Sequence, residues 1–456
     1  MLKHWERRNL TPIGRITVIK SLAVSKLVHL FIALPNPPKD IIQQLNNIFF
    51  EFLWKSPVSK IKKKVVTQNY ERGGLKMIDI ENFIDTMKMS WMKKLLKGSA
   101  KWQSIIGADI DINQVLTLGP LYALQNVVKS KNQFWLDVFQ SWNKLVKCYG
   151  EDDKIMQDHM ASSVLWYNDI FKINNKTMFL KGWSENNINF LNSLLDEDGK
   201  IMEYNNFTSI YKNVKTNFLE FLGVTKVIKK ILKQHKIDQL TKISEPFIPV
   251  HLIPLILDKK GNKKNYNTLN NNEVKPTGQV KWNERFQITQ DDWKNIYHNV
   301  FLLIKERKLQ WFQYRVNHRI LTTNSFLKII HKTDINLCTF CRQQKESIEH
   351  LLYECEVVQT FIRNVYSWIA TTFSYDVLFA EKEFVLGCAE NEINNIINYH
   401  LKYYIYCCRC QNNTLMLNSF KSILSNVYNV ELKLATKNNY VKKFHDRWRL
   451  FEQLKV

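Results

Sequence analysis

The residues best suited to chemistry form the pattern Cys338-x2-Cys341-x8-His350-x4-Cys355. A CxxC pair sits on a tight knuckle whose backbone lets two thiolates converge on one ion. A histidine and a third cysteine complete a tetrahedral set of three sulfurs and one nitrogen. That donor set suits Zn2+, held at about 2.0–2.3 Å from each ligand. Four protein ligands leave no open position for water, so one structural ion is expected rather than a catalytic one. His350 and Cys355 are five residues apart, which on a regular helix separates them by about 140° at ~100° per residue. The spacing therefore predicts a loop, or a helix entered partway, between them. The plainer alternative is four residues buried in a reduced core.

Three basic elements could meet phosphates. Lys60, Lys62, Lys63 and Lys64 flank a Gly73-Gly74 turn, with Arg7, Arg8, Arg15 and Lys20 earlier in the same region. Lys226, Lys229, Lys230, Lys233 and Lys236 line one face of a helix opposite Val227, Ile228 and Ile231. Such a helix could equally lie on a membrane or in a partner's groove. In Trp311-Phe312-Gln313-Tyr314-Arg315 with His318-Arg319, aromatics and cations interleave, so bases could stack while arginine holds the backbone. Solvated faces and apolar packing are the competing readings. Cys407, Cys408 and Cys410 lie near His400, but Ile393, Ile396, Ile397, His400, Leu401, Tyr404, Ile405 and Cys408 trace one helical stripe. Free cysteine behaves as a small hydrophobe on such a face. Glu151, Asp152 and Asp153 read as a solvated turn, without a second acidic motif to complete a two-metal site. No Walker loop, GxSxG, HExxH or GxGxxG is present.

The elements that must position these groups read mainly as helices. Thr11-Pro12 supplies a cap and a proline at the first helical position. Ile16–Leu34, apolar on nearly every side, predicts a buried helix ended by Pro35, Pro37 and Pro38. Ile41, Ile42, Leu45, Ile48, Phe49, Phe52 and Leu53 form an amphipathic stripe. KIKKKVVT and NYERGGLKMIDI suggest a short hairpin or an irregular β piece pivoting on Gly73-Gly74. The chain of 456 residues carries 65 Lys+Arg against 42 Asp+Glu, a net charge of +23, with 12% aromatic residues. That balance excludes intrinsic disorder and makes a polyanion the default partner. The first hundred residues hold +11 of the charge and the next hundred −2. There is no secretory signal at the start and no apolar run of membrane-spanning length, so the cytoplasm or nucleus is expected, with the eight cysteines reduced.

Together these segments resemble the C-terminal part of LINE-type (non-LTR) retrotransposon reverse transcriptases. RRNLTPIGRITVIKSLAVSKLVHLFIALPNPP is similar to the start of that family's thumb, followed by FFEFLW, ERGGLKMIDIENF and SWMKKLL. VLWYNDIFKI, FLKGWSENNI and DEDGKIMEYNNFTSIY resemble the connecting region. WFQYRVNHRILTTNSFL, CTFC and ESIEHLLYEC resemble the zinc-binding motif, and LKYYIY with KFHDRW the tail. The resemblance implies a thumb that tracks a template–primer duplex and a zinc segment that helps position RNA or DNA.

The family's polymerase chemistry needs palm aspartates that hold two Mg2+ ions, with an aromatic two positions before an Asp-Asp pair. This sequence has no such motif, and no endonuclease. The expectation is a truncated, non-catalytic nucleic-acid-binding fragment of mainly α class. It would be a multi-module helical protein with a minor β hairpin and a small CCHC zinc knuckle. Its divisions would be a thumb-like module at 1–100, a helical connector at 101–244 and a linker at 245–290, then a zinc-binding module at 291–375 and a helical segment at 376–456. The alternatives are the lower half of an active polymerase with its palm upstream, or a scaffold protein.

Overall fold

The structure, a computed structural model, describes residues 1–97, 122, 124, 132–150, 160–168, 170–243, 261–271, 273–377, 380–387 and 391–454. The described chain is mainly α-helical, with a two-strand antiparallel hairpin. It divides into two compact units that are not consecutive runs of sequence. One gathers Met1–Ala23, Asn47–Met77 and Glu273–Val456; the other gathers Val24–Asn46 and Ile78–Asn272.

The first unit carries the cysteine–histidine pattern. Its opening helix, Pro12–Val18, is capped by the Thr11 side chain, which accepts from the Gly14 N–H. Ile13, Ile16, Val18 and Ile19 are buried, and Arg15 is buried with them. The Arg15 guanidinium donates to the carbonyls of Leu10, Phe52 and Leu53, at 2.9, 3.3 and 3.0 Å. These bonds fasten the opening helix to the end of the helix Lys39–Trp54. The amphipathic stripe of that second helix is buried at Phe49, Phe52 and Leu53, whereas Ile41 and Ile48 are exposed.

The helical run Pro12–Ala33 continues through a π turn at Ile19–Val24 into Ser25–Ala33. By length and composition it could cross a membrane, with 22 residues and a mean hydropathy of 1.7 over its most apolar 18. Its last 18 residues are charged only at Lys20 and Lys26, a length missed when strictly apolar stretches alone are counted. It is not a wholly buried helix as expected: Leu30 and Leu34 are exposed.

The hairpin expected around Gly73-Gly74 is not there. Lys63–Thr67 is a helical turn and Tyr70–Arg72 a 3-10 turn. Val65 and Val66, adjacent in sequence, are both buried, which the strict alternation of a strand facing one core does not allow. Gly73 ends the 3-10 turn with φ +74°, and a Cβ on Gly74 would lie 1.9 Å from the Gln68 carbonyl oxygen. The segment is held to residues far along the chain. The Gln68 amide donates to the Val274 carbonyl at 3.0 Å and accepts from the Val274 N–H at 2.7 Å. Tyr314 donates its hydroxyl to the Gly73 carbonyl at 3.0 Å, and Tyr70 stacks on Phe301 at 3.8 Å.

Around this, Gln290–Leu302, Arg307–Asn317, Glu356–Phe373, Glu392–Gln411, Leu417–Lys437 and Val441–Trp448 surround one continuous core. Val358, Phe361, Ile362, Val365 and Ile369 show the 3.6-residue stripe by which Glu356–Phe373 enters it. Lys402 is fully buried, its ammonium donating to Gln313 Oε1 and the Val385 carbonyl at 2.7 Å each.

In the second unit Ile80–Lys97 and Gln133–Gly150 pack through Met89, Met92, Val138, Phe139 and Trp142. A further core is built on Trp166, Trp183, Phe207, Phe221 and Ile228. Beside it lies the hairpin found among the described residues, Lys172–Ile173 paired with Lys176–Thr177. Its turn residues Asn174 and Asn175 both take positive φ, 52° and 62°, the geometry a two-residue hairpin favours and asparagine tolerates. Of the segment expected as a linker, Gly261–Leu269 and Thr277–Arg285 are helical. Glu151–Asp153 lie outside the described residues.

Replacing Gly74 by alanine forces Gln68 away from Val274, so thermal or urea unfolding of Gly74→Ala should show a loss of roughly 2–4 kcal/mol.

Candidate metal centre and its surroundings

The cysteine–histidine pattern closes into a single cluster. Ligand atoms of Cys338, Cys341, His350 and Cys355 all lie within 4.8 Å of one another. Cys338, His350 and Cys355 are buried and Cys341 half-buried. Among the described residues no other group of His, Cys, Asp or Glu gathers in this way. Cys338 Sγ and Cys355 Sγ are 3.8 Å apart, and Cys341 Sγ is 3.3 Å from His350 Nε2. Two sulfurs held at about 2.3 Å from a tetrahedral ion are themselves about 3.8 Å apart, so the residues fit Zn2+.

Local backbone explains the convergence. Cys338 donates its N–H to the Gln344 carbonyl at 2.8 Å, Arg342 donates back to the Cys338 carbonyl at 2.9 Å, and Arg342 takes φ +57°. The chain thus reverses across the CxxC. The N–H groups of Cys341 and Phe340 point at the Cys338 sulfur. His350–Glu354 is a π turn, and Cys355 donates its N–H to the His350 carbonyl at 3.0 Å. An i→i+5 hydrogen bond closes over the very interval that separates the two ligands. This is the departure from a regular helix that the spacing predicts. Cys355 then caps the helix Glu356–Phe373 with extended backbone. The Cys355 thiol is drawn down to about 5 because Cys338 donates to it and because Val358 and Val357 N–H groups face it, against burial. The Cys338 thiol, as the donor, is pushed up well above its ordinary value.

Sequence reasoning missed what holds this loop in place. Three glutamates of the segment, Glu346, Glu349 and Glu354, are each paired with an arginine from elsewhere. Glu346 has no solvent exposure. It accepts from the Thr339 N–H at 2.9 Å and hydroxyl at 2.8 Å, from the Asn324 N–H at 2.8 Å, and from Arg409 Nε at 2.9 Å. Arg409 Nη2 also donates to Asn324 Oδ1 at 2.5 Å. Arg319 pairs with Glu349 at 2.5 Å, and Arg285 with Glu354 at 2.6 Å. Burial opposes ionisation of Glu349, yet its own backbone N–H and the Arg319 charge outweigh that and lower its pKa. A cluster of acids inside a basic chain was the available signal.

The basic residues separate into two kinds. Arg15 is buried on backbone carbonyls, and Arg319 lies over the Trp282 ring at 4.3 Å while paired with Glu349. Arg7, Arg8, Lys20, Lys60, Lys62, Lys63 and Lys64 are exposed, with Lys63 donating to Asn47 Oδ1 at 3.2 Å. Lys226, Lys229, Lys230, Lys233 and Lys236 are exposed on or just beyond the helix Phe218–Gln234, with Ile228 and Ile231 buried behind them. In the aromatic run, Phe312, Tyr314 and His318 are buried, and Trp311 and Arg315 remain half-exposed one turn apart. Cys408 is buried on the core stripe of Glu392–Gln411.

Residues 267–361 match the family described as zinc-binding in reverse transcriptase. The four-ligand cluster lies inside that match, so this segment is related to the zinc-binding domain of reverse transcriptases, with Cys338, Cys341, His350 and Cys355 as its zinc site. No curated protein matches the chain.

Native mass spectrometry should show one zinc ion per chain, absent when Cys338 and Cys341 are both replaced by serine. Glu346→Ala strands the buried Arg409 charge. Urea unfolding should register a loss of about 3–5 kcal/mol, and competition with a chelator a zinc affinity lowered roughly 10–100-fold.

Proposed function

We propose that this chain is the thumb, connector and zinc-binding part of a LINE-type (non-LTR) reverse transcriptase, and that it binds RNA or DNA with little regard to sequence. The observation that carries this reading is the closed Cys338–Cys341–His350–Cys355 cluster inside a segment matching the reverse-transcriptase zinc-binding family. Net charge of +23 and the exposed cations Arg7, Arg8, Lys20, Lys60, Lys62, Lys63 and Lys64 support a phosphate backbone as the ligand. The ion's role is structural, since four protein ligands leave it no position for substrate. It would hold Thr339 and the CxxC turn against Glu346 and Arg409, and so fix the adjoining surface.

The proposal includes the absence of polymerase chemistry in this chain by itself. Neither Asp152-Asp153 nor Asp291-Asp292 has an aromatic residue two positions ahead, where the family's catalytic motif has one. A primed-template extension assay with Mg2+ or Mn2+ should yield no product.

Binding to a labelled single-stranded RNA tests the central claim. About five phosphate contacts give a slope near −3.5 for log affinity against log salt, or roughly 10^2-fold weaker binding between 50 and 200 mM. A flat response would exclude the reading. Capture of protein partners that survives nuclease treatment, with no RNA binding, would favour a scaffold instead.

A further inference from the structure

Within the first unit a cleft of about 220 Å3 opens between the helices Arg307–Asn317 and Glu392–Gln411. Its walls include Lys308, Trp311, Arg315, Tyr403 and Tyr406. Trp311 and Arg315 are four residues apart, so they stand one above the other on the helix face left open. The Arg315 guanidinium sits 5.9 Å from the Trp311 ring centre and 5.3 Å from that of Tyr406. Its Nε is buried without a hydrogen-bond partner, and Nη1 reaches only the Tyr406 hydroxyl at 3.5 Å. Tyr406 is held in turn by Thr322, 2.7 Å between hydroxyls. A buried guanidinium donor with nothing to bond is costly unless a ligand supplies the acceptor.

Charge at one end of the cleft points the same way. Lys60 is exposed and stands outside the cleft's walls, but partial burial and the nearby Arg315 and Arg15 charges lower its pKa. Arg15 is tied to carbonyls at hydrogen-bond distance, and Glu6, the carboxylate that acts on its charge, makes no hydrogen bond to it. At the other end, Glu306 acts on Tyr403 and Cys407. An anion therefore belongs at the Lys60–Arg315 end and an uncharged ring at the tyrosine end.

We infer that this cleft holds one unpaired nucleotide of a single strand, with its base against Trp311 and the two tyrosines and its phosphate on Arg315 and Lys60. The inference rests on the nucleic-acid reading above and adds to it a site and a preference. The volume is below that of drug-sized pockets, which start at about 300 Å3, and suits one base rather than a duplex. Aromatic faces accept any base, so the preference is for strandedness and not for sequence.

The test uses the full chain with a 2-aminopurine single strand and the matching duplex, read by anisotropy and by 2-aminopurine quenching. Wild type should quench the single strand, and Trp311→Leu and Arg315→Gln should each weaken single-strand binding about tenfold. Duplex affinity should change less than twofold. Circular dichroism and zinc content check folding. Should Arg315→Gln not fold, Tyr403→Leu on the facing wall decides, lowering 2-aminopurine quenching and single-strand affinity while duplex affinity stays within twofold. Unchanged single-strand binding in folded variants overturns the cleft while leaving general binding intact. Wild type that binds neither strand overturns both readings. Polyglutamate competing as well as the oligonucleotide also overturns the cleft, because charge alone would then suffice.

Discussion

A buried carboxylate has to find a positive partner or give up its charge, and that constraint organises the zinc-bearing part of this chain. Glu346 meets it by accepting from Thr339 on the CxxC turn, from Asn324, and from Arg409 on a helix that begins well downstream. Glu349 meets it through Arg319, and the exposed Glu354 pairs with Arg285. The loop that presents the ligands is therefore oriented by helices outside it. A zinc ion bound there would close a site whose walls these pairings already tie to the helices. Cys338 and Cys355 belong to the main core and not to a separate bead around an ion.

The ligand set was legible because metal binding restricts residue type and spacing together. The five-residue interval between His350 and Cys355 even ruled out a regular helix, and the π turn is the form that exclusion takes. The pairing of Glu346 with Arg409 was not legible, since 63 residues separate them and neither has a local pattern. Charge counts shared the same limit. A sequence shows how many arginines there are, but not that Arg15 is spent on carbonyls and Arg319 on Glu349 while Arg315 keeps a free donor. The misplaced hairpin has a local cause. Gly73-Gly74 looked like a hairpin pivot, yet the adjacent buried valines before it need a helical turn, and Asn174-Asn175 supplied the positive φ pair elsewhere.

Core assembly was the least legible feature. Gln68 and Val274, 206 residues apart, bond reciprocally through side-chain amide and backbone. Tyr314, inside the aromatic run that reads as a nucleic-acid motif, instead bonds Gly73 at a separation of 241 residues. Periodicity reports which face of an element is apolar, not which distant element covers it. The segment matching the reverse-transcriptase zinc-binding family, 267–361, thus completes its packing with residues from the start of the chain.

The same long-range packing gives the positive charge its direction. Arg15 donates to backbone carbonyls, whose dipoles satisfy its donors, while Glu6 offsets only part of its charge without a hydrogen bond. That charge is felt at Lys60, as is that of Arg315 from a different part of the chain. Like charges gathered in this way destabilise the folded state by mutual repulsion, and the repulsion is relieved when an anion arrives. An arginine wholly inside the protein thereby contributes to the surface field without ever contacting a ligand. The excess of cations in the first hundred residues acts through position as well as through number.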